Sequence, residues 1–247
     1  LLQEDGCPWD REQTLETLKP YLIEEAYEVA KAIDDNDVNG HQEELGDLLF
    51  QIVFQAKLRE QKNQFTIDDV CQSLVEKMTR RHPHVFSHLL DKDKVSTVDE
   101  ALTMWNSQKA SERPKNSSIL SSLPIALPAL LRAQRLGERA ATVGFDWPDI
   151  SGVKEKLTEE LNEFEEALLS KDKKEIAHEL GDVLFVLTRL ASELDLVAED
   201  ILHDANTRFT KRFSLMEEFA LQSGKNLSLL TLEEQNLLWQ KAKSKLP

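Results

Sequence analysis

Residues 159–182 read EELNEFEEALLSKDKKEIAHELGD, and the fold follows from how this stretch turns back on itself. Residues three or four apart share a helix face, so Glu159, Glu160 and Glu163 present carboxylates in one direction, as do Glu179 and Asp182. Ser170-Lys171-Asp172 reads as a turn, with Asp172 and Glu175 spaced as a capping box opening a second helix. An antiparallel hairpin centred on Lys171 puts Glu163 and Glu179 each eight residues from the turn, and Glu160 and Asp182 each eleven. The two pairs then meet at the same heights. Gly181, which has no Cβ, is expected to let the helices approach closely. Converging carboxylates raise one another's pKa or need a cation. Four anionic oxygen donors (Glu160, Glu163, Glu179 and Asp182) suit a hard ion, Mg²⁺ with Mn²⁺ as a substitute. For one hairpin alone, a solvated acidic face is the competing reading.

A second copy of the pattern favours the ion. At an offset of 135 residues, Glu24, Glu25, Glu28, Glu44 and Asp47 underlie Glu159, Glu160, Glu163, Glu179 and Asp182. Leu45, Gly46, Leu49 and Phe50 underlie Leu180, Gly181, Leu184 and Phe185, and the first hairpin has its own centre at Asn36. The chain is therefore an internal duplication, and Glu25, Glu28, Glu44 and Asp47 form a second candidate metal site. Each copy is followed by a basic helix face: Lys77, Arg80 and Arg81, then Arg208, Lys211 and Arg212 at an offset of 131, so the first half holds four extra residues between its motifs. Guanidinium forks match phosphate oxygens, and these faces are the candidate phosphate sites; intrahelical salt bridges to the surplus acids are the competing use. Asn206 precedes the second basic face and Trp239 follows it, and both are taken as features of the second half alone, which ranks that half as the main catalytic one.

Composition narrows the classes. The chain of 247 residues can hold two modest domains, and its 40% hydrophobic and 30% charged content is that of a globular protein. A net charge of −15 argues against a general nucleic-acid binder but not against phosphates carried by a metal. Two cysteines, Cys7 and Cys71, make neither a disulfide framework nor a zinc quartet. There is no membrane-length apolar run and no signal-peptide pattern, so a cytoplasmic protein is expected. The chain starts at Leu1 rather than Met, so upstream sequence is expected to be missing. His82-Pro-His84 reads as a capped turn rather than a zinc site.

Along the chain, Asp10 is expected to cap a helix from Arg11, Trp9 to anchor the core, and Pro20 to restart a helix over 21–33. Residues 34–40 read as the turn and 42–61 as a long helix whose 48–54 run is a buried face. Helices are expected from 68 to 82, over 97–112, 127–141 and 232–245, with a linker RPKNSS and a domain boundary near Lys115, giving domains 1–114 and 115–247.

EExxE followed by ELGDLLF, together with GCPWDREQT, RRHPHVF and GFDW, resembles the MazG family of nucleoside triphosphate pyrophosphohydrolases over nearly the whole chain. The resemblance implies an all-α fold of two tandem MazG-like domains, bundles completed by homodimerisation, and hydrolysis of NTPs or dNTPs to nucleoside monophosphate and pyrophosphate. It also implies that the GFDW turn lies near the nucleotide pocket and that Trp239 stacks on the base; packing at a helix interface is the other reading of that Trp. In the expected reaction a carboxylate, Glu159 or a metal ligand, takes the proton of the attacking water. Lys156, Arg208, Lys211 and Arg212 neutralise the leaving pyrophosphate, and Asn206 bonds to sugar or base. The alternative is a non-catalytic module for metal-dependent nucleotide sensing or dimer assembly. A di-iron bundle would need a Glu-x-x-His pair from each of two helices, and the hairpins hold only one, Glu175 with His178.

Overall fold

The computed structural model describes residues 1–86, 95–112 and 117–246. The chain divides into two compact units, Leu1–Pro114 and Lys115–Pro247. The expected boundary residue Lys115 and most of the RPKNSS linker lie outside the described residues. Among the described residues every regular element is a helix.

Unit 1 contains α1 (Pro8–Arg11), α2 (Leu15–Asp34), α3 (Val38–Gln61), α4 (Ile67–Arg81), α5 (Pro83–Phe86) and α6 (Val98–Ser111). Its centre is the α2/α3 hairpin; α4 leans on α3 and α6 on α4. Unit 2 contains α7 (Ala129–Ala141), α8 (Ile150–Ser170), α9 (Lys173–Glu193), α10 (Ala198–Gln222) and α11 (Leu232–Lys245). Its α8/α9 hairpin is backed by α7, which packs on α9 and more lightly on α10; α10 pairs with α11.

The duplication has a physical register. Asn36 and Lys171, the two expected hairpin centres, both sit in the left-handed region at φ 52° and 59°, a conformation in which a side chain is uncommon outside tight turns. The α3 helix has 24 residues and α9 has 21, so three of the four extra residues of unit 1 extend its second helix by almost a turn. The fourth lies in the loop between Gln61 and Ile67. The repeat also reaches the last helix. Thr97 and Glu100 close a reciprocal cap, with Thr97 N donating to Glu100 and Glu100 N to Thr97 Oγ1, each at 3.2 Å. Thr231 and Glu234, at an offset of 134, do the same at 2.9 and 3.2 Å. The α6 and α11 helices are therefore counterparts, and Trp105 is the counterpart of Trp239. Trp239 is not a feature of the second half alone, as the sequence was taken to imply.

Several local expectations fail for identifiable reasons. Thr14, in a box with Thr17, caps α2 at Leu15, and the helix runs through Pro20 rather than restarting there. Asp10 is buried inside the short α1 and caps nothing. Trp9 is 55% exposed, its ring edge-on to Tyr21 at 6.0 Å, so it is no core anchor. Asp172 caps α9 through Lys174 N at 2.8 Å, but Glu175 is turned to Ser170 Oγ at 2.7 Å, so the expected box does not close. A methyl at Gly46 or Gly181 would meet no atom within 4 Å, so neither glycine serves close helix approach. Gly152 does: a Cβ there would stand 2.8 Å from Trp147 Cδ1.

The 48–54 run is not a buried face. Gln51 and Phe54 are buried, whereas Leu49, Phe50, Ile52 and Val53 are exposed. The hairpin buries Gln51, Phe54 and Leu58 on one helical stripe, and the apolar stripe beside it stays exposed among the described residues. At the foot of this hairpin Leu18, Phe54 and Leu58 form an apolar core joined by Leu2 and Leu15. The same register positions in unit 2 are Val153, Arg189 and Glu193. Val153 is fully buried like Leu18, but Arg189, only 8% exposed, donates to Asp146 at 2.8 and 2.5 Å and also to Glu193. Bidentate pairing satisfies a charge that burial alone would penalise, and it ties the GFDW turn to α9.

Candidate active site

In unit 2, Glu160, Glu163 and Glu179 each offer a carboxylate oxygen within 4.8 Å of the others. Glu160 is only 5% exposed. Burial, then the charges of Glu160 and Glu179, push the Glu163 carboxyl above its ordinary range. Asp182 belongs to an overlapping group with Glu179 and His178. His178 Nδ1 stands 2.7 Å from Asp182. The four expected ligands, joined by His178, thus form two adjoining triplets that share Glu179. Lys156 bridges Glu159 at 2.6 Å and Glu160 at 2.8 Å. Its ammonium is stabilised mainly by Glu159, then by Glu160, and its pKa is raised. Lys156 thus sits on the anionic edge of the cluster and partly neutralises it.

In unit 1, Glu25, Glu44 and Asp47 form a triplet within 4.8 Å, at the register positions of Glu160, Glu179 and Asp182. Position 21, matching Lys156, is Tyr, so no lysine relieves this cluster. Burial first, then Asp47, Glu28 and Glu44, raise the Glu25 carboxyl; burial, then Glu28 and Asp47, raise that of Glu44. Glu28 therefore lies against the triplet. Gln51, 6% exposed, hydrogen-bonds to Glu25 while its Oε1 is buried without a partner. The donor set of each hairpin, oxygen-rich and electrostatically frustrated, fits a hard divalent cation.

The basic faces are not alike. In unit 2, Arg208 and Lys211 are exposed and make no ion pair among the described residues. Arg212 Nε donates to the Leu246 carbonyl at 2.9 Å. Trp239 packs on Phe209 at 5.4 Å, and Asn206 is exposed on the same helix. In unit 1, Arg80 Nε donates to Glu112 Oε1 at 2.8 Å and Arg81 reaches Glu112 Oε2 at 2.5 Å. Arg81 also lies over the Trp105 ring at 5.2 Å. Lys77 makes no ion pair among the described residues. The competing use of these bases was salt bridges within their own helix; Arg80 and Arg81 instead pair with Glu112 at the end of another helix. No basic-face residue pairs with a hairpin carboxylate among the described residues.

Two domain families match the chain: the MazG nucleotide pyrophosphohydrolase domain over residues 13–86 and the phosphoribosyl-ATP pyrophosphohydrolase domain over residues 143–209. A nucleoside triphosphate pyrophosphohydrolase/pyrophosphatase MazG from Thermotoga maritima is 43% identical over 244 residues, 98% of this chain and 91% of its own. The chain belongs to the MazG family. A nucleoside triphosphate pyrophosphohydrolase of Escherichia coli K12 is 39% identical across 97% of this chain and 91% of its own length. One from Mycobacterium tuberculosis is 40% identical over 56% of this chain and 41% of its own.

Three residues of this MazG-family chain escaped the sequence reading. His178 stands four residues before Asp182, a spacing that could have flagged it. Trp105 aligns with Trp239 once the Thr-x-x-Glu caps are superposed, a signal present in the sequence. Glu112 carried no signal, because its partners lie 31 and 32 residues away on another helix.

Proposed function

We propose that this chain hydrolyses nucleoside triphosphates to nucleoside monophosphate and pyrophosphate with a divalent cation, Mg²⁺ in the first instance and Mn²⁺ as a substitute. One observation carries this reading: each hairpin draws three carboxylates within 4.8 Å of one another, and burial with like charge raises Glu163 in unit 2 and Glu25 and Glu44 in unit 1. Glu160, Glu163, Glu179 and Asp182 would hold the ion in unit 2, and Glu25, Glu28, Glu44 and Asp47 in unit 1. When bound, the cation supplies charge neutralisation for the phosphates and a more acidic water.

The remaining work falls to the chain. Glu159, which pairs with Lys156 at 2.6 Å, accepts the water's proton. Displaced from Glu160, Lys156 turns to a substrate phosphate. Arg208, Lys211 and Arg212 take the leaving pyrophosphate, Asn206 bonds to the nucleoside, and Trp239 offers its ring to the base. Charge placement by side chains and ion explains why a nucleophilic Ser, Cys or His is unnecessary.

Unit 2 is the main catalytic unit in this reading, and the active form is a homodimer. Support for the dimer comes from matched exposed apolar residues beside the acids: Leu45, Leu49, Phe50 and Ile52 in unit 1, and Leu180, Leu184, Phe185 and Leu187 in unit 2. A second chain that covered them would bring basic faces to hairpin carboxylates that no basic-face residue meets among the described residues. Free Cys7 and Cys71 support a reducing, cytoplasmic setting, and no described helix is long and apolar enough to cross a membrane. The test is product analysis on a panel of NTPs and dNTPs with and without metal. Monophosphate plus pyrophosphate, only with metal, is the expected outcome; diphosphate plus phosphate would overturn the cleavage position.

A further inference from the structure

In unit 2, Arg212 meets an uncharged atom, the backbone carbonyl of Leu246 at the end of α11. Its unit 1 counterpart, Arg81, meets the residue at the same place after α6. That residue is Glu112, which stands to Leu246 as Trp105 does to Trp239, at the offset of 134. Here it brings a carboxylate. Both Glu112 oxygens are used, Oε1 by Arg80 at 2.8 Å and Oε2 by Arg81 at 2.5 Å, so the carboxylate spans two guanidiniums as a phosphate would. Arg81 first, then Arg80, hold the Glu112 carboxyl down to about 2, so it stays anionic at any ordinary pH. Trp105 completes the arrangement, its ring 5.2 Å from the Arg81 guanidinium carbon and 4.9 Å from the His82 ring.

We propose that Arg80, Arg81 and Trp105 form a nucleoside-phosphate site in unit 1 and that Glu112 is its built-in plug, an anion from the chain itself seated where a terminal phosphate binds. The inference rests on the reading above that the basic faces bind phosphate. It adds Trp105 as the ring that meets the base and Glu112 as the group that competes. A ligand enters by exchanging its phosphate for the carboxylate, which frees the C-terminal end of α6 from α4. A triphosphate, with more charge than one carboxylate, wins only at concentrations that outweigh the intramolecular advantage of Glu112. Unit 2 has Leu246 in that place and has no such threshold.

The test uses the full chain and an ATP analogue with a methylene bridge between the α and β phosphorus atoms, titrated calorimetrically with divalent metal. Glu112→Gln is expected to tighten the unit 1 site by about tenfold or more, the worth of a lost charge-assisted competitor, so that a second binding event per chain appears. Adding Arg80→Gln is expected to abolish the gain. Adding Trp105→Ala to Glu112→Gln is expected to weaken the nucleotide but not inorganic tripolyphosphate. Unchanged stoichiometry and affinity in Glu112→Gln overturns the plug, and equal loss of nucleotide and tripolyphosphate in the Trp105 variant overturns the base contact.

A second measurement needs no variant. Saturating tripolyphosphate is expected to speed amide hydrogen exchange across the last turn of α6 but not of α11. Equal behaviour of the two helices overturns the proposal. Release of pyrophosphate is scored separately: a second site in a chain that releases none keeps the plug and removes the reaction, whereas turnover without a second site does the reverse.

Discussion

The two hairpins share a register yet differ in what lies around their acids. In unit 1 the carboxylates face one another above a buried amide, Gln51, and an apolar foot of Leu18, Phe54 and Leu58. In unit 2 the matching cluster has a lysine at its edge, a histidine on Asp182, the apolar Val186 in place of Gln51, and a buried guanidinium at the foot. The basic faces differ in the opposite sense: that of unit 1 is closed by a carboxylate, while Arg208 and Lys211 of unit 2 stand open. Duplication thus preserved the positions of the acids, and divergence changed which charges neutralise them. The unit with its own cation beside the acids is also the one whose basic face is exposed, which accords with the proposal that it is the catalytic unit.

The largest expected effect breaks the comparison at its centre. Glu163→Ala removes a member of the carboxylate triplet and is expected to lower turnover by roughly 10²–10³-fold or more, whereas Glu28→Ala leaves turnover near that of the parent. Steady-state pyrophosphate release measures both, and the reverse pattern would transfer the main site to unit 1. Next come the feet of the hairpins. Phe54→Ala is expected to cost about 3–5 kcal/mol in urea unfolding. Arg189→Leu is expected to cost about 3 kcal/mol because Asp146 and Glu193 lose their partner. Asp146→Asn with Glu193→Gln should recover most of the second loss and none of the first. Failure to recover would mean that the guanidinium contributes by packing rather than by charge.

The carboxyls with raised pKa give a third contrast, in pH. Glu25, Glu44 and Glu163 lie above the ordinary value of 4.5, so their favourable contribution is present below that value and is lost as pH rises through their folded pKa. Without metal, melting temperature should therefore fall as pH rises from 4.5 towards neutrality, and divalent ion should reverse the fall. Isolated unit 2 would show the smaller drop because Lys156 offsets its cluster, if that unit folds alone. Melting curves in chelator and in Mg²⁺ check this, and indifference to metal would count against the site. Glu112 has the opposite sign. Its contribution is present above 4.5 and is lost as pH falls through about 2, so α6 should part from α4 only in strong acid. Trp105 fluorescence reports it.

The smallest effect concerns the glycines. Gly181→Ala enters a helix where a methyl meets nothing within 4 Å. It should stabilise the fold by up to about 1 kcal/mol. A loss of activity despite that gain would show that substrate or a second chain approaches α9 there.

The helices were legible because each has a local cause: the 3.6-residue spacing of the acids, and the Thr-x-x-Glu cap that starts α11 at Leu232. Other features have no local cause. Pro20 is tolerated inside α2 because the Thr14 cap starts the helix upstream. Gln51 is buried while Leu49 is exposed because the hairpin, rather than hydrophobicity, chooses the inward face. The acids were found at once, since repulsion between like charges at helical spacing is visible in a string of letters. Glu112 was not, since its role depends on two arginines that reach it only after α4 and α6 pack.

By itself, then, the sequence determined that the chain is all-α, that it is duplicated about Asn36 and Lys171, and which carboxylates converge. Those properties follow from periodicity and spacing, which act over a few residues. Only the tertiary structure decided how deeply each cluster is buried and which carboxylates of the facing helix press on one another, raising Glu25 and Glu44 in one unit and Glu163 in the other. It alone matched Trp105 with Trp239 as packed partners of the basic helices, and placed Glu112 on Arg80 and Arg81. Charge compensation is a sum over neighbours in space, and Glu112, 31 and 32 residues from the arginines it meets, shows that some of those neighbours come from elsewhere in the chain.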